Sequence, residues 1–511
     1  MDETAGSTLT GTVKGIAKQA TIALAGMLLG KLLGYAAETV MGRMLGPAGY
    51  GLVGQGISTM FVVGTIAAFG TSQGIARTVA FYLGKDDPAR ARGAVLDGLK
   101  LTALSSTVVT IALFVLAPQI AQFVFHEPDL PLILRVTALT VPFYVLLLYA
   151  VGVLQGLKRV GLVVYGQQVL RWGLVLIGFL AFCVLGLNAL GGVLAHFVSY
   201  ALATIVLARW IIRSYPLNDR QLGLVSVGRQ LIRFSWPLAL SSIQANIKGN
   251  MDTFALGYFA GSTQVGFYRA ALMIAMVLPM GLEAIKLIFM PIISEMCARG
   301  EVGRIRTTFH TSTRWVLYIT FPLVLLLITF PGDVITLLFG REYASATTAL
   351  RILTVGVWIR CTLGLAGQVT LAIGKTRINF LEQSVALLTS TVLSFVLIPR
   401  LGIVGAAWAT ASCLVLQNLV TTAFVFHYLR ILPLTWRHLA FMGTSLVILA
   451  PLAALHIWLD CNWVLVGVGP TLFIGALWLF ARVGGIDQND RAILQLFRAK
   501  LLLSLPGRSQ A

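Results

Sequence analysis

The sequence contains few charged residues, and this excludes most classes of soluble protein. Only 11% of its 511 residues are Asp, Glu, Lys or Arg, whereas 57% are hydrophobic. A soluble domain carries roughly 25% charged residues. Apolar runs of membrane-spanning length follow one another along the chain. The composition therefore predicts an all-α integral membrane protein.

The sequence also lacks the residue clusters that catalysis or metal binding would need. Its five cysteines have neither a pairing pattern nor metal-ligand spacing, and we expect small hydrophobic side chains or free thiols. The loops are short and contain no group of acidic metal ligands or catalytic base. We therefore predict a transporter without a catalytic residue, metal site or cofactor, rather than a membrane glycosyltransferase. The N-terminus has no signal-peptide cleavage site, so the first apolar segment is expected to be retained.

Acidic residues are scarce relative to basic ones, with 19 Asp and Glu against 38 Lys and Arg and a net charge of +19. A charge of this size can indicate nucleic-acid binding. Here, however, the basic residues lie in short loops between apolar runs, as the positive-inside rule requires. We therefore predict no nucleic-acid partner.

A span needs about 20 apolar residues, and this criterion predicts about fourteen transmembrane helices. They are numbered here as spans 1 to 14, at 20–44, 51–77, 96–117, 132–156, 162–187, 190–212, 231–258, 264–290, 312–330, 346–373, 379–398, 402–428, 438–459 and 463–483. Prolines inside four of them are expected to kink the helix, because each removes one backbone hydrogen bond. These prolines are Pro142, Pro237, Pro279 and Pro322.

Alternate loops differ sharply in their content of lysine and arginine. The basic set includes Lys85, Arg90, Lys158, Arg220, Arg304, Lys375 and Arg437. The other set contains almost none, with Arg341 and Arg400 as the clear exceptions. All basic loops lie on one side only if the number of spans is even and both termini are cytoplasmic. The segment 489–505 alternates apolar and basic residues at helical spacing, which is typical of a helix lying on the inner leaflet.

The chain repeats itself at a nearly constant offset of 214 or 215 residues. The matched groups are Gly42, Gly46 and Gly51 with Gly257, Gly261 and Gly266; Leu139-Thr140-Val141 with Leu353-Thr354-Val355; and Leu187, Gly191 and Ala195 with Leu401, Gly405 and Ala409. Three matches at almost the same offset predict the duplication of a six-helix unit. Because six is even, the copies share their orientation and form parallel repeats. Spans 13 and 14 fall outside the duplication.

These observations divide the chain into six predicted regions. They are a cytoplasmic N-terminal tail at 1–19, a first six-helix bundle at 20–212, a cytoplasmic linker at 213–230, a second six-helix bundle at 231–428, two further spans within 438–483 and a cytoplasmic amphipathic tail at 484–511.

Three stretches resemble a known family of transporters. They are LLGKLLGYAAETVMGRMLGPAGYGLVGQG, GTSQGIARTVAFYLGKDD and LGIVGAAWAT. They are similar to the polysaccharide-transporter branch of the multidrug/oligosaccharidyl-lipid/polysaccharide (MOP) exporter superfamily. This resemblance implies a MATE-like fold with two bundles forming a V around a central cavity, and alternating access. The two extra spans resemble those of the lipid II flippase branch, where they border a groove for the lipid tail.

Polar side chains at mid-span are predicted to line the cavity. On span 7, for example, Gln244, Lys248 and Asp252 follow spacings of four residues, which puts them on one face of a helix. The predicted substrate-binding residues are Lys31, Gln168, Arg171, Gln244, Lys248, Arg360 and Gln368. Arg and Lys would meet a polyprenyl-pyrophosphate head group, and the amides would meet sugar hydroxyls.

Some of these charges have a structural alternative. Lys248 and Asp252 are four residues apart, and Glu283 and Lys286 are three apart, so each pair can simply neutralise itself and join helices. Glu38 and Asp252 lie at equivalent positions of the two repeats. We hypothesise that at least one of them carries a proton or a sodium ion during transport.

The function that the resemblance implies is a flippase that moves a lipid-linked, polyprenyl-pyrophosphate oligosaccharide from the inner to the outer leaflet for cell-surface polysaccharide synthesis. A lipid II-type peptidoglycan precursor flippase and a cation or drug exporter of the same fold are the alternatives. A cavity for organic cations should be acidic and aromatic, whereas this one is predicted to be basic. The expected location is the cytoplasmic membrane, and the expected partners are the lipid-linked substrate, membrane lipids, and the polymerase and glycosyltransferases of the same process.

Overall fold

The computed structural model describes residues 2–215, 225–433 and residues 436, 438, 442, 443 and 475, with side chains from residue 25 onward except at positions 287, 288, 376, 377 and 379. Within these ranges the regular structure is helical, and it falls into helices α1 to α15, two short π-helices and one 3₁₀-helix. Spans 13 and 14 and the amphipathic segment 489–505 lie almost entirely outside the described residues.

The first half of the chain forms α1 to α7 and both π-helices. Their bounds are α1 Asp2–Ala68, α2 Thr71–Leu83, α3 Pro88–Gln119, π1 Ile120–Phe125, α4 Leu130–Gly156, α5 Val160–Val164, π2 Tyr165–Leu170, α6 Arg171–Val184 and α7 Asn188–Ser214. The remaining helices are α8 Gly228–Ala275, α9 Pro279–Ala298, α10 Val302–Thr329, α11 Pro331–Phe339, the 3₁₀-helix Arg341–Ala346, α12 Thr347–Leu363, α13 Ala366–Ala372, α14 Thr376–Leu401 and α15 Ile403–Leu429.

Every one of spans 1 to 12 corresponds to one or more of these helices. Among the described residues, nine helices are long and apolar enough to cross a membrane, or ten if the bent pair α8 and α9 counts as one span. The count is below twelve because spans 1 and 2 share α1, and spans 7 and 8 share the bent pair. A helix of 44 residues, Ala25–Ala68, would be about 66 Å long, roughly twice the hydrocarbon core. The break at Gly46 divides it into two arms, and each arm corresponds to one predicted span.

Two glycines interrupt the long helices at matching points of the repeat. Gly46 has φ 65° and ψ 177° inside α1, and Gly261 has φ 79° and ψ 174° inside α8. A residue with a Cβ is strained at such positive φ values, whereas glycine adopts them readily. The two positions are 215 residues apart in the sequence, so the predicted glycine repeat has the same backbone conformation in both copies.

Some of the other repeat matches also share their environment. Thr140 and Thr354 are buried, as are Ala195 and Ala409. Gly191 and Gly405 are buried in the same way. Leu139 is exposed where Leu353 is buried, and Val141 is buried where Val355 is exposed, so the shared burial is limited to the small residues and the threonines.

Only one of the four span prolines coincides with a helix break. Pro279 begins α9 after a three-residue turn, and α9 is bent by 50° from α8. Pro142, Pro237 and Pro322 lie inside α4, α8 and α10, which continue through them. A proline at the first turn of a helix costs little, because its missing N–H would be unsatisfied in any case.

The packing divides the chain into one unit that ends at Gly266 and a second unit that begins at Phe267. In the first unit, a stripe of small residues on α1 allows close approach of a neighbouring helix. A Cβ on Gly26 would lie 2.7 Å from Val164, and one on Gly30 would lie 2.6 Å from Gln168. In the second unit, a Cβ on Gly356 of α12 would lie 2.6 Å from Ala411 of α15. The domain boundaries stated above stay a prediction.

Candidate functional site

The carboxylate of Glu38 is hydrogen-bonded to a residue in the segment after the Gly46 break. The hydroxyl of Tyr50 donates a hydrogen bond to Glu38 Oε2 at 2.6 Å, and Tyr50 is 1% exposed. Glu38 lies before the break and Tyr50 after it, so this bond fixes the two arms of α1 relative to each other.

Arg171 is packed among aromatic side chains. Its guanidinium carbon lies 4.0 Å from the ring centroid of Trp172 and 5.1 Å from that of Tyr200. Nη1 also donates to the Tyr200 hydroxyl at 3.4 Å, and Nε donates to the carbonyl of Gln167 at 3.2 Å. With 8% of its surface exposed, Arg171 offers little area to a ligand. Its cation–π contacts satisfy the charge inside the protein instead.

His196 belongs to the same cluster. It is 2% exposed, with its ring centroid 6.0 Å from that of Trp172 and 6.5 Å from that of Tyr200. These ring contacts are typical of a packing histidine.

The π-helix π2, which includes Gln167 and Gln168, directly precedes Arg171. π-Helical turns are rare and occur frequently at functional sites. Gly30 of α1 packs against the backbone of Gln168 in π2. Lys31, the next residue on α1, is exposed and therefore lies close to this contact between α1 and π2. Lys31 forms no ion pair with another described residue.

The polar face of span 7 lies on α8 in the first unit. Asp252 is 5% exposed, and its Oδ1 accepts a hydrogen bond from the backbone N–H of Thr253 at 2.8 Å. Gln244 and Lys248 are half-buried. These three side chains therefore lie along one helix, as the sequence spacing predicts.

Arg360 lies in the second unit, where it meets an acidic residue from another helix. Its Nη2 is 4.0 Å from Glu283 Oε1, and Lys286 Nζ is 3.0 Å from the same oxygen. The pairing of Glu283 with Lys286 predicted from their spacing is confirmed. The approach of Arg360 is not visible in the sequence, because α9 and α12 are separated by three other helices in the chain. Gln368 lies half-buried on α13.

Glu382, an acidic residue within predicted span 11, was missed. Glu382 of α14 accepts hydrogen bonds from Gln417 Nε2 and Thr421 Oγ1 of α15, both at 2.7 Å. An ionisable residue inside span 11 was the available signal. Both of its oxygens are hydrogen-bonded, so Glu382 joins two helices.

The predicted site residues thus fall into separate groups. Lys31, Gln168 and Arg171 come from contacting helices, the α8 residues form a second group, and Arg360 and Gln368 belong to the second unit. Within the described part of the chain, no three His, Cys, Asp or Glu side chains are grouped in a way that could hold a metal ion. The role of each site residue stays a prediction.

Comparison with known proteins identifies the family. The sequence profile described as "Polysaccharide biosynthesis protein" matches residues 16–297, more than half of the chain. A putative O-antigen transporter of Shigella flexneri is 21% identical over 76% of this chain and 94% of its own length. Two other curated relatives are matched over only 47% and 42% of their own lengths.

Two solved structures show the fold. The lipid II flippase MurJ in an inward closed conformation has a TM-score of 0.73, with 12% identity over 90% of this chain and 99% of its own. An inward-facing multidrug resistance MATE transporter of the MOP superfamily has a TM-score of 0.67, with 16% identity over 80% of this chain and 98% of its own. The predicted all-helical, MOP-type transporter fold is confirmed. The chain is therefore a multi-pass membrane protein that belongs to the polysaccharide biosynthesis protein family.

Proposed function

We propose that this protein is a flippase that moves a polyprenyl-pyrophosphate-linked oligosaccharide from the inner to the outer leaflet by alternating access. The observation that carries the proposal is the surplus of cationic side chains within the predicted spans. Lys31 has no ion pair with another described residue, and Arg360 shares Glu283 with Lys286. An unpaired charge in a span costs at least about 2.5 kcal/mol, and an anionic head group would offset that cost.

The family supports a glycan substrate, since the Shigella relative is named as a putative O-antigen transporter. A lipid II-type precursor flippase remains the main alternative, because MurJ has the same fold and the two substrates share a polyprenyl pyrophosphate. A cation or drug exporter is less compatible with these cationic side chains, although the fold also serves multidrug transport.

In this proposal the protein lies in the cytoplasmic membrane with both termini on the inner side. Glycosyltransferases would supply the substrate at the inner leaflet, and a polymerase would consume it at the outer leaflet. Membrane lipids surround the spans throughout. Glu38 or Asp252 would couple the cycle to protons or to sodium.

Transport by the purified full-length protein in liposomes tests the proposal. One assay follows the appearance of a polyprenyl-pyrophosphate oligosaccharide on the opposite leaflet with a lectin that cannot cross the membrane. Parallel assays use lipid II and a lipophilic cation. We expect oligosaccharide movement to exceed movement in protein-free liposomes, and to exceed lipid II movement. Transport of the cation alone would refute the proposal, and preference for lipid II would establish the alternative.

A further inference from the structure

Three charged side chains meet in the second unit beside two interrupted spans. α9 begins at Pro279 after the turn 276–278, and Glu283 lies just over one turn into it. α12 ends at Leu363, and Arg360 lies in its last turn before α13 begins at Ala366. Interrupted spans in transporters typically occur where a substrate or an ion binds. The position therefore favours a binding role for this charged cluster.

One carboxylate oxygen faces both cations of the cluster. Lys286 Nζ lies 3.0 Å from Glu283 Oε1, which is the length of a hydrogen-bonded ion pair. Arg360 Nη2 lies 4.0 Å from the same atom, beyond the roughly 2.7–2.9 Å of a charge-assisted hydrogen bond. Arg360 donates no side-chain hydrogen bond to another described residue. Two positive charges thus share one negative charge, and the guanidinium donors of Arg360 are still available.

The cluster is also accessible. The side chains of Lys286, Arg360 and Glu283 are 20%, 31% and 44% exposed, respectively. A guanidinium facing hydrocarbon would be costly, so the exposed part of Arg360 must face water or a polar ligand. A purely structural ion pair does not need this accessibility, and a partly exposed one contributes little to stability.

We propose that Lys286 and Arg360 bind the pyrophosphate of the substrate, and that Glu283 is a counter-ion that occupies these two cations when the site is empty. This inference rests on the proposed function and adds Lys286 and Glu283 to the site. A phosphate oxygen would take the place of the Glu283 carboxylate between the two cations, and the planar guanidinium suits two oxygens at once. Glu283 thereby competes with the substrate and keeps binding reversible.

This arrangement predicts that neutralising the acidic residue and neutralising the basic residues have opposite effects on pyrophosphate binding. Glu283→Gln removes the competitor and should strengthen binding, whereas Lys286→Ala and Arg360→Ala remove donors and should weaken it. In a purely structural cluster, all three changes would act in the same direction or would affect only stability. Whether Glu283→Gln strengthens or weakens binding therefore distinguishes a binding cluster from a purely structural one.

The test uses the purified full-length protein in an uncharged detergent, with geranylgeranyl pyrophosphate as the probe and thermophoresis as the readout of Kd. We expect Lys286→Ala and Arg360→Ala each to raise Kd by about tenfold or more, the loss of one hydrogen bond to a charged group. Glu283→Gln should lower Kd severalfold. Glu295→Gln is the matched control on α9, since Glu295 pairs with Arg299 at 2.6 Å instead. Exposed Arg400 supplies the arginine control as Arg400→Ala.

Two further probes show whether the cluster recognises a pyrophosphate or the phosphate of an ordinary lipid head group. Geranylgeraniol, which lacks the pyrophosphate, should bind equally to all variants. Phosphatidylglycerol should displace the probe only weakly, because a phosphodiester carries less charge. Equal displacement would mean that the cluster holds ordinary lipid head groups, and would overturn the assignment to pyrophosphate.

The thermal unfolding midpoint of each variant shows whether it is folded. If Glu283→Gln alone does not fold, the double variant Glu283→Gln/Lys286→Met removes both partners of the close ion pair. That double variant should bind with a Kd between those of Lys286→Ala and the wild type. Weakened binding in Glu283→Gln, or unchanged binding in all variants, would overturn the inference while leaving the proposed function in place. Absence of probe binding to the wild type would overturn the inference and count against the proposed function as well.

Discussion

Gly51 lies directly against the backbone carbonyl of Ser262, with no room for a Cβ between them. Its counterpart in the second repeat, Gly266, lies in the same way against the carbonyl of Pro47. Pro47 and Ser262 are separated by the same 215 residues as Gly51 and Gly266. The contact is therefore reciprocal, as at a two-fold axis. The glycine breaks of the two repeats pack on each other through their backbones.

The reciprocal contact predicts coupled effects of substitution. Gly51→Ala and Gly266→Ala should each destabilise the protein by about 1–3 kcal/mol, because the new methyl group must push a backbone carbonyl aside. The double variant should lose less than the sum, since separating the two breaks once makes room for both methyl groups. Thermal unfolding in detergent measures all three. Gly249→Ala is the control, because a Cβ there meets no atom within 4 Å. Fully additive losses would contradict a shared contact.

The topology predicted from the basic loops can be tested with single cysteines. In a background lacking the five native cysteines, Ala48→Cys should react with an impermeant thiol reagent from outside and Ala89→Cys from inside. Ala48 is exposed and Ala89 half-buried, so the reagent should reach both. Labelling of both positions from the same side would contradict an even number of spans with cytoplasmic termini.

Ion coupling through Glu38 or Asp252 predicts a change in the dependence of transport on pH or sodium. Glu38→Gln or Asp252→Asn should flatten that dependence while leaving the protein folded. Tyr50→Phe removes the donor to Glu38 but keeps the carboxylate, so it should retain coupling. Initial rates of flipping across a pH series, with and without sodium, provide the measurement. If both carboxylate variants keep the wild-type profile, neither residue carries the coupling ion.

Lys31 and Arg171 should respond differently to neutralisation. Lys31→Ala is expected to reduce flipping sharply with an unchanged unfolding midpoint, since Lys31 is exposed and has no ion pair among the described residues. Arg171→Ala should lower the unfolding midpoint, because it removes the cation–π contacts with Trp172 and Tyr200. Arg171→Lys should restore only part of that stability, because an ammonium group does not stack on a ring. Equal loss of stability in both alanine variants would contradict this distinction.

The fold was largely predictable because its causes are local. A membrane span requires about 20 apolar residues whatever it packs against, so spans 1 to 12 were located from composition alone. Glycine at a positive φ is also a local requirement, which is why Gly46 and Gly261 marked the repeat and its breaks. The pairing of Glu283 with Lys286 followed from helical periodicity in the same way.

The candidate site was less predictable because its contacts join helices that are distant in the chain. Spacing placed Arg171 on a polar face, but burial between Trp172 and Tyr200 depends on how α6 packs on α7. The π-helix at Gln168 has no signal in the apolar pattern.

The sequence by itself determined the membrane class, the spans, the duplication and the family, because hydrophobic length, charge asymmetry and glycine positions are properties of the chain. Only the tertiary structure decided that Gly51 and Ser262 meet, that Arg171 is satisfied internally, and that Glu283 stands between Lys286 and Arg360. Helix packing fixes which side chains face one another, and periodicity within one helix cannot specify its neighbour.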